Sequence, residues 1–364
     1  SGRSYTINVE EERHTFTYAS DTSVSYTTPA NATAGQLDVG TIASSLTTAI
    51  SALSNYSATA IGNVIHILRT DTGHEFNIMT RGGTADQALY GIKGSVDDIT
   101  MLPSQCVGPT QANPEGVVLK VRNTAESDDD DYYVKFVPSA GNIPGHGSWE
   151  ETVKPETTTG LNASTMPHAL IRLADGTFNI RPLSQSEATD DLPAFWAGRN
   201  VGDTETNPDP SFIDQTITGM FFYMNRLGML TEDAVVLSQP GDFFNFFNSS
   251  AIAISDADPI DMTASATKPA LLKNAIGTAK GLLLFAENSQ FLLATTEAAF
   301  GPATVKMTEI SNYAYTSSIA PVETGMSIMF STEADTFSKV FEMAVDSVDN
   351  RPIISENTRI ILEY

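Results

Sequence analysis

The carboxylates of Asp256-Ala-Asp258-Pro259-Ile-Asp261 are spaced closely enough to offer oxygen ligands to a calcium ion. An EF-hand loop, however, needs Gly at its sixth position and Glu at its twelfth. Those positions hold Asp261 and Thr267 here. Pro259 points instead to a rigid turn whose aspartates accept hydrogen bonds from nearby backbone amides. A second acidic run, Glu126-Ser-Asp128-Asp-Asp-Asp131, reads as a solvated loop rather than a cation site, because consecutive residues of an extended chain point to opposite sides. Five histidines, His14, His66, His74, His146 and His168, are scattered, and none is paired at metal-ligand spacing. His66 sits in an apolar strand and reads as a core or edge residue. No phosphate-cradling loop, G-x-G-x-x-G, G-x-S-x-G or H-E-x-x-H pattern is present. With 44 acidic residues, a carboxylate pair of the kind that hydrolyses glycosides is always to be found somewhere, so one carries little weight. Trp149 and Trp196 suit either a sugar-stacking platform or, better, core anchors at strand ends. No cofactor is expected.

Asn225-Arg226-Leu227-Gly228 follows the apolar strand Met220–Met224. A guanidinium presents five donors in a fixed fork, suited to tying together carbonyls or carboxylates where strand meets loop. Gly228 is expected to supply a positive φ. Phe243, Phe244, Phe246 and Phe247 are too many for one face and imply burial from two sides, in a large domain or against a neighbouring subunit.

These residues need a scaffold, and the pattern describes one. Residues 1–27 alternate as strands, with Tyr5, Ile7 and Val9 on one face and Phe16 and Tyr18 in a second run. Residues 37–53 switch to helical spacing, with Asp38 as cap. Strands resume at Val64–Leu68 and Phe76–Met79 around Thr72-Gly73, giving a small α+β domain over 1–110. Strands Val117–Val121 and Tyr132–Val137 follow, and 138–165, rich in Gly, Pro, Thr and Asn, reads as a connecting loop, so 111–165 is strands plus linker. Residues 166–364 hold a hairpin at Asp175-Gly176 and then strands at Leu282–Phe285, Phe291–Leu292, Val305–Ile310, Met326–Phe330 and Val340–Met343. This predicts a mainly β protein with a sandwich or propeller-like array, although no clean internal repeat marks the blades. The chain starts at Ser1 without a signal peptide, and its last strand pattern runs into Tyr364, so a fragment of a longer chain is expected.

Composition narrows the function. The chain has 364 residues, 41% hydrophobic, with no apolar run near the roughly 20 residues of a membrane-spanning helix. A net charge of −24 argues against a sequence-reading DNA binder, whose affinity rests on Lys and Arg neutralising phosphates. It suits a surface that DNA slides past, or simply solubility or a salty environment. The single Cys106 excludes an intrachain disulfide framework and a cysteine-based zinc site.

The ordered motifs Trp196-x-x-Arg199-x-x-Gly202-Asp203, Asn207-Pro208-x-Pro210-Ser-Phe212 and Asn225-Arg226-Leu227-Gly228-x-Leu230 resemble the tail tubular protein B family, the tail nozzle proteins of short-tailed, T-seven-like bacteriophages. The likeness continues through Ser238, Phe244-Asn-Phe246, Asp256-x-Asp258-Pro259-Ile-Asp261 and Gln290-Phe291, and upstream through Thr165-Met-Pro-His-Ala-Leu170 and Asp175-Gly176. It covers about 165–295, and residues 1–160 match only in order of elements. The resemblance implies a non-enzymatic virion protein at the distal end of the tail. As a homo-hexamer it would join the adaptor ring of tail tubular protein A, help hold the tail fibres, meet the host cell envelope on infection and close the channel for genomic DNA until ejection. It carries over no catalytic residues. Two rival classes remain. A tail-associated polysaccharide depolymerase or glycoside hydrolase would lose cleavage when one close acidic pair is mutated. A carbohydrate-binding module would bind sugar on an exposed aromatic platform without turnover.

Overall fold

The computed structural model describes residues 2–12, 21–71, 75–82, 89–109, 116–122, 131–141, 144–188, 194–265, 270–325, 327–334, 337–345 and 352–360. His14, Phe16, Tyr18, Thr72-Gly73, His74, 126–130, Thr267 and Met326 lie outside them. The protein is mainly β with one N-terminal α-helix, and it divides into two compact units, 1–155 and 156–364.

The first unit contains β1 (Ser4–Glu12), β2 (Asp21–Thr27), α1 (Val39–Ser51), β3 (Tyr56–Ile61), β4 (Val64–Arg69) and β5 (Glu75–Gly82). Next come the short β6 (Ser95–Val96) and β7 (Gln105–Cys106), then β8 (Val118–Val121), β9 (Tyr132–Pro138) and β10 (Gly145–Thr152). β1 is the centre of an antiparallel sheet ordered β2-β1-β5, with Ile7 opposite Val24 and Val9 opposite Ile78. α1 starts where the Asp38 carboxylate accepts from the Thr41 amide, 3.3 Å. Its spacing puts Ile42, Leu46 and Ile50 on one face, buried against Ile7, Val9 and Val24. Each such side chain contributes about 1.5–3 kcal/mol on burial. The second sheet runs β6-β8-β9-β10-β7, and strict alternation in β9 buries Tyr132, Val134 and Phe136.

The expectation of a connecting loop throughout 138–165 fails over 145–152, which is strand β10, paired antiparallel with β9. Its Gly145-His-Gly147-Ser beginning lacks the branched and aromatic residues that announce a strand. Only Trp149, edge-on to Phe136 at 5.3 Å, gives it an apolar inner face.

The second unit opens with the hairpin β11 (Ala169–Arg172) and β12 (Phe178–Arg181). Three four-stranded antiparallel meanders follow, each in sequential order. The first comprises β13 (Gly219–Tyr223), β14 (Arg226–Leu230), β15 (Ala234–Leu237) and β16 (Ile260–Thr263). The second comprises β17 (Leu272–Thr278), β18 (Gly281–Ala286), β19 (Gln290–Ala294) and β20 (Lys306–Ser311). The third comprises β21 (Val322–Thr324), β22 (Ser327–Ala334), β23 (Phe337–Val345) and β24 (Pro352–Glu356).

The inner strands of the middle meander, β18 and β19, are buried on both faces. Leu282 and Leu284 of β18 pack with Leu230, Val235 and Leu237 of the first meander. Leu283 and Phe285 pack with Phe330, Phe341 and Met343 of the third. β18 is therefore buried at every position, which is why Leu282–Phe285 reads as a continuous apolar run rather than an alternation. The opposite face of the first meander, Leu227, Met229 and Val236, is covered by Trp196, Phe212 and Phe246.

Candidate functional site

The two largest side chains with almost no solvent exposure are Arg199 and Arg226, both in the second unit. A buried guanidinium is costly unless its donors are met; those of Arg226 are met by carbonyls of distant segments, and those of Arg199 by two carbonyls and the Asp209 carboxylate.

Arg199 is held by the loop that its own motif introduces. Its Nε donates to the Asn207 carbonyl at 2.6 Å, Nη1 to the Thr158 carbonyl at 2.6 Å, and Nη2 to Asp209 Oδ1 at 2.8 Å. The Phe247 ring lies under the guanidinium, 5.1 Å away. The loop between is a turn closed by Asp203, whose Oδ1 accepts from the amides of Glu205 and Thr206 and from the Thr206 hydroxyl. Gly202 enters that turn at φ +73°, and a Cβ there would sit 2.5 Å from Thr206 Oγ1. The buried Asn207 amide group reads two further carbonyls, Val201 at 3.0 Å and Asn248 at 3.2 Å, while its Oδ1 accepts from the Asn248 amide. Pro208 is exposed, whereas Pro210 is buried and leads to Phe212, edge-on to Phe246 at 5.0 Å.

Arg226 follows a tight turn between β13 and β14 in which Met224 (φ 48°) and Asn225 (φ 58°) are both left-handed. Its guanidinium donates to four carbonyls: Ser238 and Asp258 through Nη1, Asp256 and Phe300 through Nη2, three of them at 2.7 Å and Phe300 at 3.2 Å. Burial pushes its pKa down, and the charge of nearby Asp258 opposes that shift. Leu227 is tied alongside, its amide donating to Ser238 Oγ. Gly228 departs from expectation: it is extended strand, not positive φ. Its need for no side chain comes from Phe221, directly opposite on β13, whose ring lies across it. A Cβ on Gly228 would meet that ring at 2.2 Å.

The aspartate cluster is divided between two tasks. Asp258, fully buried, accepts from the Ser249 amide and hydroxyl at Oδ1 and from the Ser255 amide at Oδ2. Asp261 Oδ2 accepts from the Ser211 amide, 2.7 Å, fastening the Pro210–Phe212 segment to β16. Asp256 contributes its carbonyl to Arg226, and Pro259 is buried beneath. Among the described residues no three His, Cys, Asp or Glu side chains are grouped to hold a metal ion. Asp131 pairs with Lys120. Trp196 is buried edge-on to Phe244 at 5.3 Å, and Trp149 donates to the Pro103 carbonyl. Of the phenylalanines, 246 and 247 are buried and 243 and 244 half-buried.

Adjacent residues join the two arginine assemblies: Asn248 bonds Asn207 in one and Ser249 bonds Asp258 in the other. Sequence reading passed over Asn248, Ser249 and Thr158, since a lone Asn, Ser or Thr in a loop carries no signal of its partner. The arrangement brings donors to fixed internal acceptors and pins loops onto the first meander. It is suited to rigidity rather than turnover.

A family model described as bacteriophage nozzle protein matches residues 1–364. The chain belongs to the bacteriophage nozzle protein family. A relative, tail tubular protein gp12 of Escherichia phage T7, is 28% identical over 288 residues, covering 79% of this chain and 33% of the relative. The chain thus spans about a third of that relative's length. Nozzle proteins are structural components of the phage tail, not enzymes, and the depolymerase reading falls with that. The buried arginines belong to the internal framework of this family member's second unit.

Proposed function

We propose that this chain builds part of the distal nozzle of a short phage tail, as one subunit of a homo-hexamer around the channel through which genomic DNA leaves. The observation that carries this reading is the match of the whole chain to the nozzle family. In the proposed assembly the nozzle joins the adaptor ring of tail tubular protein A, supports the tail fibres, meets the host envelope and holds the channel shut until ejection. Two structural features support a role under load. Three successive four-stranded meanders packed on one another supply a layered β platform. The Arg199 and Arg226 assemblies tie its loops to that platform by charge-assisted bonds.

The charge of −24 acquires a task in this setting. Carboxylates lining a tube repel phosphate over about 8 Å at physiological ionic strength, so DNA passes without being trapped. Electron microscopy of the full-length protein, or of virions carrying it, tests the assembly. A six-fold ring at the tail tip joined to a larger ring is expected. A monomer, or a trimer projecting from the tail, overturns the reading, and a lumen lined by Lys and Arg overturns the electrostatic part.

A further inference from the structure

The second unit leaves two different apolar faces bare. One is on the hairpin β11–β12. Its register sets Leu170 opposite Ile180 and Arg172 opposite Phe178, so these four side chains share a face. Leu170, Phe178 and Ile180 are 64%, 64% and 70% exposed there. On the other face Ala169 packs with the Trp196 cluster and Arg181 is buried. The sheet is only two strands wide, and such a hairpin is marginal in water without a further layer.

The other bare face is at β13, an edge strand of the first meander. Met220 stands opposite Met229 and Phe222 opposite Leu227, so both share the side that Trp196, Phe212 and Phe246 cover. That cover stops short of the edge: Leu227 and Met229 are buried, whereas Met220 and Phe222 are 53% and 69% exposed. Phe243, half-buried and edge-on to Phe222 at 5.3 Å, extends the patch, and the exposed Asp242 precedes it in the chain.

The two faces carry opposite charges. Arg172 and Asp242 are both exposed, and neither has an ion-pair partner among the described residues. A two-fold contact of either face with itself would set like charges together. A contact between the two different faces sets a cation beside a carboxylate and apolar surface on apolar surface. Such a head-to-tail contact is the kind that closes a ring.

We propose that the β11–β12 face of one copy docks on the β13 face of the next. Leu170, Phe178 and Ile180 then lie against Met220, Phe222 and Phe243 of the partner subunit, and Arg172 lies beside Asp242 of the partner subunit. The apolar surface holds the contact, and the charge pair sets its direction. This inference rests on the reading of the chain as a ring-forming nozzle subunit and names the surfaces that join its copies.

Sedimentation and electron microscopy of the full-length protein test it. Arg172→Glu and Asp242→Arg should each weaken assembly at least about tenfold, and together they should restore most of it. The thermal midpoint of the separated chains should not change, since both side chains are exposed. Oxidation of a mixture of Ile180→Cys and Phe222→Cys chains should join one variant to the other, the native Cys106 being buried. A ring that both single charge reversals leave intact overturns this contact while the ring reading stands. So does a double variant no better than either single one, or the lack of any disulfide between the two cysteine variants. A parent that forms no ring overturns that reading, and this contact falls with it.

Discussion

Arg226 offers the sharpest test of the architectural reading. Arg226→Met keeps an unbranched buried stem and removes the fork. Four carbonyls then lose a charged donor, and two of them belong to the fully buried residues Ser238 and Asp258. Each buried acceptor left without a partner costs about 1–3 kcal/mol, so these two alone set a loss of roughly 2–6 kcal/mol. The buried Asp258 carboxylate also loses the favourable charge beside it. Against this, the fold no longer has to desolvate a guanidinium. Breaking one side of a buried charged arrangement costs about 3–5 kcal/mol, and we expect that range here.

Urea unfolding read by tryptophan fluorescence measures the loss, because Trp196 packs on the face of the meander that carries Leu227. Arg226→Lys separates charge from geometry. An ammonium retains the charge but is a compact point donor that does not span carbonyls from residues 238, 256, 258 and 300. It should recover part of the loss and remain about 1–3 kcal/mol below the parent. A Met variant within about 1 kcal/mol of the parent would refute the reasoning, since that is the worth of a single ordinary hydrogen bond. Equality of the Lys variant with the parent would refute the fork geometry while leaving the charge.

Three further outcomes follow from neighbouring geometry. Met224→Asn should stabilise by about 0.5–1 kcal/mol, because asparagine accepts the left-handed turn more readily and the Met224 side chain is 58% exposed; an unchanged or lower thermal midpoint would count against it. Gly228→Ala should destabilise by about 1–3 kcal/mol, since the new methyl meets a Phe221 ring already packed against the core; an unaltered midpoint would show that the ring yields freely. Burial pushes the Tyr315 hydroxyl from 10.0 up to about 12. The fold thus favours its neutral form, and that contribution is complete below pH 10 and lost as pH rises towards about 12. At ~1.4 kcal/mol per pH unit the loss reaches roughly 3 kcal/mol. Tyr315→Phe should therefore lose less stability than the parent between those limits in urea titrations, and parallel curves would exclude Tyr315 as the source. Tyr132 and Tyr223 are also raised by burial, so the difference between the two proteins, not the slope of either, isolates Tyr315.

What the sequence disclosed and what it hid divide along a physical line. α1 was legible because its pattern is local: four apolar residues at helical spacing behind an aspartate cap need no knowledge of the rest of the chain. β18 and β19 were legible as apolar runs, yet the meander repeat containing them was not. The strands of the three meanders differ in exposure, from the wholly buried inner strand β18 to the exposed edge strand β21, so no common pattern survives in the residues. β10 was hidden because its pairing with β9, rather than its composition, makes it a strand. Gly228 teaches the same lesson at one position. The sequence marks a place where a side chain is intolerable, but backbone torsion and a ring on the facing strand leave the same mark, and only the register of Phe221 separates them. Arg226 was recognisable as a tie from its type and its place after an apolar strand. Its acceptors, up to 74 residues away, are backbone carbonyls, which every residue possesses. A framework built on carbonyls leaves half of each contact without a signature in the sequence, so only the donors could be read in advance.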